Sequence, residues 1–67
     1  MATYKKLGEK IKRLRKEKGF TQEKLAELAK VDPKSIIAIE TGKRNPTLKT
    51  INKIAIVLKV PLSSLLD

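Results

Sequence analysis

The chain has 67 residues, sixteen of them Lys or Arg and seven Asp or Glu, for a formal net charge of +9. That length suits one domain near the lower limit at which a hydrophobic core folds without staples. It contains neither cysteine nor histidine, which excludes disulfides, thiolate or imidazole metal sites, and Cys-His or Ser-His nucleophilic catalysis.

The start, MATYKKLGEKIKR, carries positive charge with no apolar run behind it and does not read as a signal peptide. Tyr4, Leu7, Ile11 and Leu14 recur at three- and four-residue spacing. They predict a first helix from Tyr4 to Lys18 with one narrow apolar stripe. The rest of its surface is basic: residues 1–19 hold eight Lys or Arg against two Glu. Such a surplus raises the local concentration of polyanions and speeds association with nucleic acid. It equally suits a lysine-rich surface kept for solubility. Gly8 costs about 1 kcal/mol inside a helix, so it predicts a close approach by another helix. Gly19 takes the cap position, and Phe20, the single phenylalanine, turns into the core.

Thr21 is a suitable N-cap for a second helix, whose Leu25, Ala26 and Ala29 make one buried face. Val31 fills the corner. Asp32 and Pro33 then restart a helix: Asp is a favoured N-cap, and Pro at the next position loses no hydrogen bond. Ile36 and Ile39 face inward, and Gly42 supplies a left-handed stop. Two short helices joined by a tight turn in a strongly basic chain are the outline of a DNA-binding helix-turn-helix.

Thr47 caps a fourth helix after Pro46, running to Leu58 or Lys59, with Leu48, Ile51, Ile54, Ala55 and Leu58 buried. Val60-Pro61 breaks it, and a last short helix from Pro61 to Leu66 carries Leu62, Leu65 and Leu66. No segment alternates as a strand does, and there is no repeat or low-complexity linker. The longest apolar runs, Ile36 to Ile39 and Ala55 to Leu58, are far too short to span a membrane. No carboxylate pair sits in an apolar run, the setting that acid–base catalysis asks for, so an enzyme is not expected. The expectation is an all-α fold, a compact bundle of five short helices forming one domain over residues 1–67, soluble and cytoplasmic.

At Gln22, Leu25-Ala26, Val31, Ile36, Ile39-Glu40 and Gly42 the chain resembles the helix-turn-helix family of Cro and the lambda-type phage repressors. The resemblance extends upstream through Leu7-Gly8, Ile11, Leu14-Arg15 and Gly19. Downstream it continues through Lys43-Arg44-Asn45-Pro46, Leu48, Ile54-Ala55, Leu58 and Val60, so it covers about Leu7 to Leu66. It implies the lambda-repressor-like bundle, with the helix-turn-helix formed by helices two and three, and duplex DNA as partner. It also implies an ion pair between Arg15 and Glu40 that ties helix one to the end of helix three, with Arg15 in reach of a phosphate as well. Gln22, at the first position of helix two, is implied as a phosphate ligand, helped by the unpaired N–H groups of a helix N-terminus.

Lys43, Arg44 and Asn45 lie in the loop between Gly42 and Pro46, where two cations and an amide suit the sugar-phosphate strand flanking a major groove. The groove-facing positions of helix three are Pro33, Lys34, Ile37 and Ala38, with Thr41 near the far end. They depart from the polar residues usual at base-reading positions in the family. Only Lys34 can donate to a guanine edge, as a flexible point charge; Ile37 and Ala38 offer contacts to thymine methyl groups. Ser35 either assists or bonds to its own helix backbone. Specificity then rests on DNA shape and a few methyl contacts, or this face has another job. An exposed Ile37 beside Ala38 invites a protein partner, as in an antitoxin-like or coactivator-like subunit.

Ile56 and Val57 lie off the buried stripe of helix four, and with Leu62 or Leu66 they make a candidate two-fold dimer interface. Otherwise they belong to the core or pack against further domains of a longer chain. The sequence therefore reads as a small homodimeric transcriptional regulator, most simply a repressor, that binds double-stranded DNA with no cofactor and no membrane association. Within this pattern Ile39→Ala is expected to be the most damaging core truncation. It should lower stability by about 2–5 kcal/mol, measured as a shift of the urea-unfolding midpoint.

Overall fold

Five helices follow one another in the computed structural model, which describes residues 3–66: α1 (Thr3–Glu17), α2 (Gln22–Ala29), α3 (Pro33–Glu40), α4 (Leu48–Leu58) and α5 (Leu62–Leu66). Met1 and Ala2, at the start of the charged N-terminal stretch, and Asp67 lie outside the described residues. The described residues contain no strand. No described helix is long and apolar enough to cross a membrane.

The helices start where side chains can satisfy their unpaired first N–H groups. Thr21 Oγ1 accepts from the Lys24 N–H at 3.0 Å, Asp32 Oδ1 from the Lys34 N–H at 2.8 Å, and Thr47 Oγ1 from the Thr50 N–H at 3.2 Å. Pro33 opens α3 where no N–H is needed. The ends use two different devices. Gly19 and Gly42 follow α1 and α3 with φ of +75° and +74°, the left-handed conformation that glycine adopts without strain. At the ends of α2 and α4 the left-handed residue is instead a lysine, Lys30 and Lys59, each with φ of 58°. There the chain is held by backbone bonds: Val31 N–H to the Ala26 carbonyl at 3.0 Å and Val60 N–H to the Ala55 carbonyl at 3.1 Å.

Ile11, Leu25, Ile36, Ile39, Ile54, Leu58 and Leu65 form the fully buried centre. Leu14, Phe20, Val31, Val57, Val60 and Leu62 close over it, half-buried. Two expectations need correction. Leu48 is 60% exposed rather than buried; the buried residue at that end is Pro46, and the inward stripe of α4 begins one turn later, at Ile51. At the far end of the α1 stripe, Tyr4 lies on the surface.

Gly8 is buried where α1 crosses the end of α3. A Cβ at this position would run into the Ile39 carbonyl oxygen and lie 2.8 Å from that of Glu40. Both obstacles are backbone atoms and cannot swing aside, so any larger residue must push the two helices apart. Gly8→Ala should therefore destabilise by about 1–3 kcal/mol, even though alanine is the better helix former by about 1 kcal/mol. Urea unfolding with an unchanged m-value measures it.

Candidate nucleic-acid interface

The outward half of α3 is set by what its inward half must bury. Ile36, Ile39 and Glu40 point into the bundle. With about 3.6 residues per turn, that leaves Pro33, Lys34, Ile37 and Thr41 exposed and Ser35 and Ala38 half-buried. The Lys34 backbone N–H is taken by Asp32, but its ammonium has no ion-pair partner among the described residues. Ile37 is 43% exposed. The Thr41 hydroxyl is turned onto its own helix end, donating to the Ile37 carbonyl at 2.9 Å with the Ala38 carbonyl at 3.2 Å.

The loop after α3 is pinned beside this face. Lys43 N–H donates to the Ala38 carbonyl at 2.9 Å, and Arg44 Nη1 donates to Ser35 Oγ at 2.8 Å. The Ser35 hydroxyl thus serves Arg44. The guanidinium is held along the flank of α3, with four N–H groups still available. Lys43 and Asn45 are exposed next to it.

Beneath the face lies one buried ion pair. Arg15 Nε donates to Glu40 Oε2 at 2.6 Å and Arg15 Nη2 to Glu40 Oε1 at 3.1 Å, a bidentate geometry. The two side chains are 8% and 1% exposed. Arg15 Nη1 also donates to the Phe20 carbonyl at 2.7 Å, and Gln22 Nε2 donates to Glu40 Oε1 at 3.1 Å. One cluster therefore joins α1, the turn before α2, the first residue of α2 and the last of α3. Among the described residues no buried side-chain nitrogen or oxygen lacks a partner.

This arrangement bears on two expected phosphate ligands. Arg15 is buried with donors aimed at Glu40 and at the Phe20 carbonyl, which places it beneath the outer face of α3 and away from any phosphate strand passing over that face. Gln22 is half-buried at the N-terminus of α2, with one amide hydrogen held by Glu40 and the other free. Sequence reasoning missed the Gln22–Glu40 and Arg44–Ser35 bonds. Neither has a local signal, because each joins residues from different elements.

The four residues assigned to a dimer surface divide into two groups. Ile56 is 68% exposed and Leu66 is exposed, while Val57 and Leu62 are half-buried against the core. Ile56 and Val57 line a shallow groove of 220 Å³ with Leu28, Ala29, Lys30 and Lys53; Leu62 and Leu66 are not part of it.

A profile described as helix-turn-helix matches residues 11–65 of the chain. The chain belongs to this helix-turn-helix family. It is similar to the transcriptional regulator SinR of Bacillus subtilis, with 39% identity over 62 residues, 91% of this chain and 56% of SinR. The helix-turn-helix domain thus spans about half the length of that relative. Its fold is similar to that of the restriction-modification controller protein C.AhdI from Aeromonas hydrophila. That match has a TM-score of 0.93 at 35% identity and covers 97% of this chain and 98% of the other. SinR in complex with DNA matches with a TM-score of 0.88 at 39% identity, covering 91% and 98% of the two chains.

Removing one partner of the buried pair strands the other's charge in the interior. Glu40→Ala should therefore cost about 3–5 kcal/mol, whereas Arg15→Met combined with Glu40→Leu should cost far less, because it removes both charges and refills the space. Denaturant unfolding of Glu40→Ala and of the Arg15→Met/Glu40→Leu pair, each against the unsubstituted protein, checks both outcomes.

Proposed function

We propose that the protein is a transcriptional regulator that binds duplex DNA by laying the outer face of α3 in the major groove, most simply as a repressor that occupies a promoter. One observation carries the reading. The buried Arg15–Glu40–Gln22 cluster holds α2 and α3 at fixed angles, and the cations above it, Lys34, Lys43 and Arg44, have no acidic partner among the described residues. A rigid helix flanked by uncompensated positive charge is what a groove bordered by phosphates selects. The likeness to SinR, a regulator with a solved DNA complex, supports the same reading.

In this reading Lys34, Ile37 and Ala38 face base edges, with Pro33 and Thr41 at the ends of the contact. Gln22, Lys43, Arg44 and Asn45 hold phosphates. Residues 1–67 act in this reading as a single DNA-binding domain, in the cytoplasm and without catalysis. Covering two half-sites takes a pair of copies. The principal extents are 29 × 23 × 21 Å, short of the roughly 34 Å between successive major-groove faces on one side of the duplex. A two-fold pair meeting through Ile56 and Val57 with Leu62 or Leu66 covers both half-sites of a palindrome. A second reading rests on the exposed Ile37 beside Ala38, an apolar spot that a protein partner would cover. The solved complex of SinR with SinI supports a protein partner as an additional role.

If each copy neutralises about four phosphates, a dimer neutralises about eight, and the log–log dependence of affinity on salt should have a slope near −7. A slope shallower than about −2 would contradict DNA binding of this kind and favour the protein-partner reading. Lys43→Ala and Arg44→Ala should weaken binding to all sequences alike, whereas Lys34→Ala should change which sequences are preferred. Titrations of labelled duplexes at several salt concentrations separate these outcomes.

A further inference from the structure

We propose that Lys5 is a further phosphate-binding residue, so that the first turn of α1 extends the basic rim formed by the loop between α3 and α4. The inference rests on the DNA-binding reading above and adds to it a contact from an element remote in sequence from the helix-turn-helix.

It comes from what Gly42 touches. Gly42 has φ of +74°, and a Cβ on it would lie 3.0 Å from Lys5 Cα and 3.3 Å from Lys5 Cβ. The backbone of the loop therefore rests directly on the first turn of α1, immediately before Lys43 and Arg44. The Lys5 side chain leaves from that contact point and is exposed. Its ammonium has no ion-pair partner among the described residues, Glu9 one turn along included. Helix geometry gives the direction. Gly8 and Arg15 are the α1 residues packed on the end of α3, and Lys5, one turn before Gly8, lies on the same edge. Lys6 is about 100° further round, away from that seam.

Lys5, Lys43 and Arg44 thus gather positive charge at one corner, while Glu40, the acidic residue nearest Lys43 and Arg44 in the chain, is already engaged by Arg15, and Glu9, the one nearest Lys5, makes no ion pair with it. Like charges closer than the Debye length of about 10 Å repel unless a counter-charge sits among them. A phosphate strand passing the loop supplies that counter-charge, and Lys5 meets it from the side opposite the recognition helix.

Lys5→Ala keeps the Cα and Cβ that pack against Gly42, so the fold should be retained; thermal unfolding verifies this. Binding to a mixed-sequence DNA duplex is then followed by fluorescence anisotropy between about 50 and 200 mM salt. Lys5→Ala should weaken binding about threefold to tenfold and make the salt slope shallower by about one unit per bound copy. Lys6→Ala, which removes the same charge one residue away, should leave the slope unchanged, and Lys5→Arg should restore it. An unchanged slope in Lys5→Ala, or an equal loss in Lys6→Ala, overturns the assignment while leaving the DNA-binding reading in place. A wild-type slope shallower than about −2 removes that reading, and this one with it.

Discussion

The outer face of α3 depends on a carboxylate–guanidinium pair that is almost wholly withdrawn from solvent. Burying two charges is costly, and such a pair adds little net stability compared with well-packed apolar residues. What it supplies is geometry. A bidentate bond fixes both distance and orientation, and here its two partners lie on α1 and at the last residue of α3, with Gln22 and the Phe20 carbonyl drawn in beside them. Gly8 lets α1 come close enough for the pair to form, because its missing side chain leaves room for the carbonyls of Ile39 and Glu40. The eight residues of α3 are too few to be stable as an isolated helix. Their position is dictated by the apolar contacts of Ile36 and Ile39 on one side and by this polar cluster at the end.

The functional surface then follows from subtraction. A two-turn helix that commits three residues to the interior can present only a few outward, and in this chain they are a proline, one lysine, one isoleucine, and a serine and an alanine that are half-buried, with a threonine as the cap beyond. Hydrogen-bonded base readout is correspondingly limited. Charge around the helix is not: Lys43 and Arg44 on the loop and Lys5 on the first turn of α1 are exposed, and in the proposed function they form the rim that meets the phosphate backbone. That balance favours recognition through DNA shape and backbone position over a long list of base-specific bonds.

Much of this architecture was legible because its signals are local. Thr21, Asp32 and Thr47 cap helices within three residues of their own position, Gly42 announces its turn, and Gly8 announces a close approach. The Arg15–Glu40 pair, separated by 25 residues, was reachable only through family resemblance, since nothing in either neighbourhood points to the other. Lys30 and Lys59 were illegible as left-handed residues: lysine has no preference for that conformation, and the backbone bonds of Val31 and Val60 impose it. Leu48 misled because a periodic stripe does not reveal where a helix overruns the core, and Pro46 already closes that end. The bonds of Gln22 to Glu40 and Arg44 to Ser35 depend on how three elements meet, which no single stretch of sequence encodes.

The most direct test of the account is selection of bound duplexes from a random DNA pool by the intact protein at about 150 mM salt. A palindrome whose half-sites lie about ten base pairs apart centre to centre should be enriched, the spacing that places two copies of α3 in successive major grooves. Retention of DNA with no sequence enriched would contradict readout by α3, and no retention at all would contradict the DNA interface as a whole.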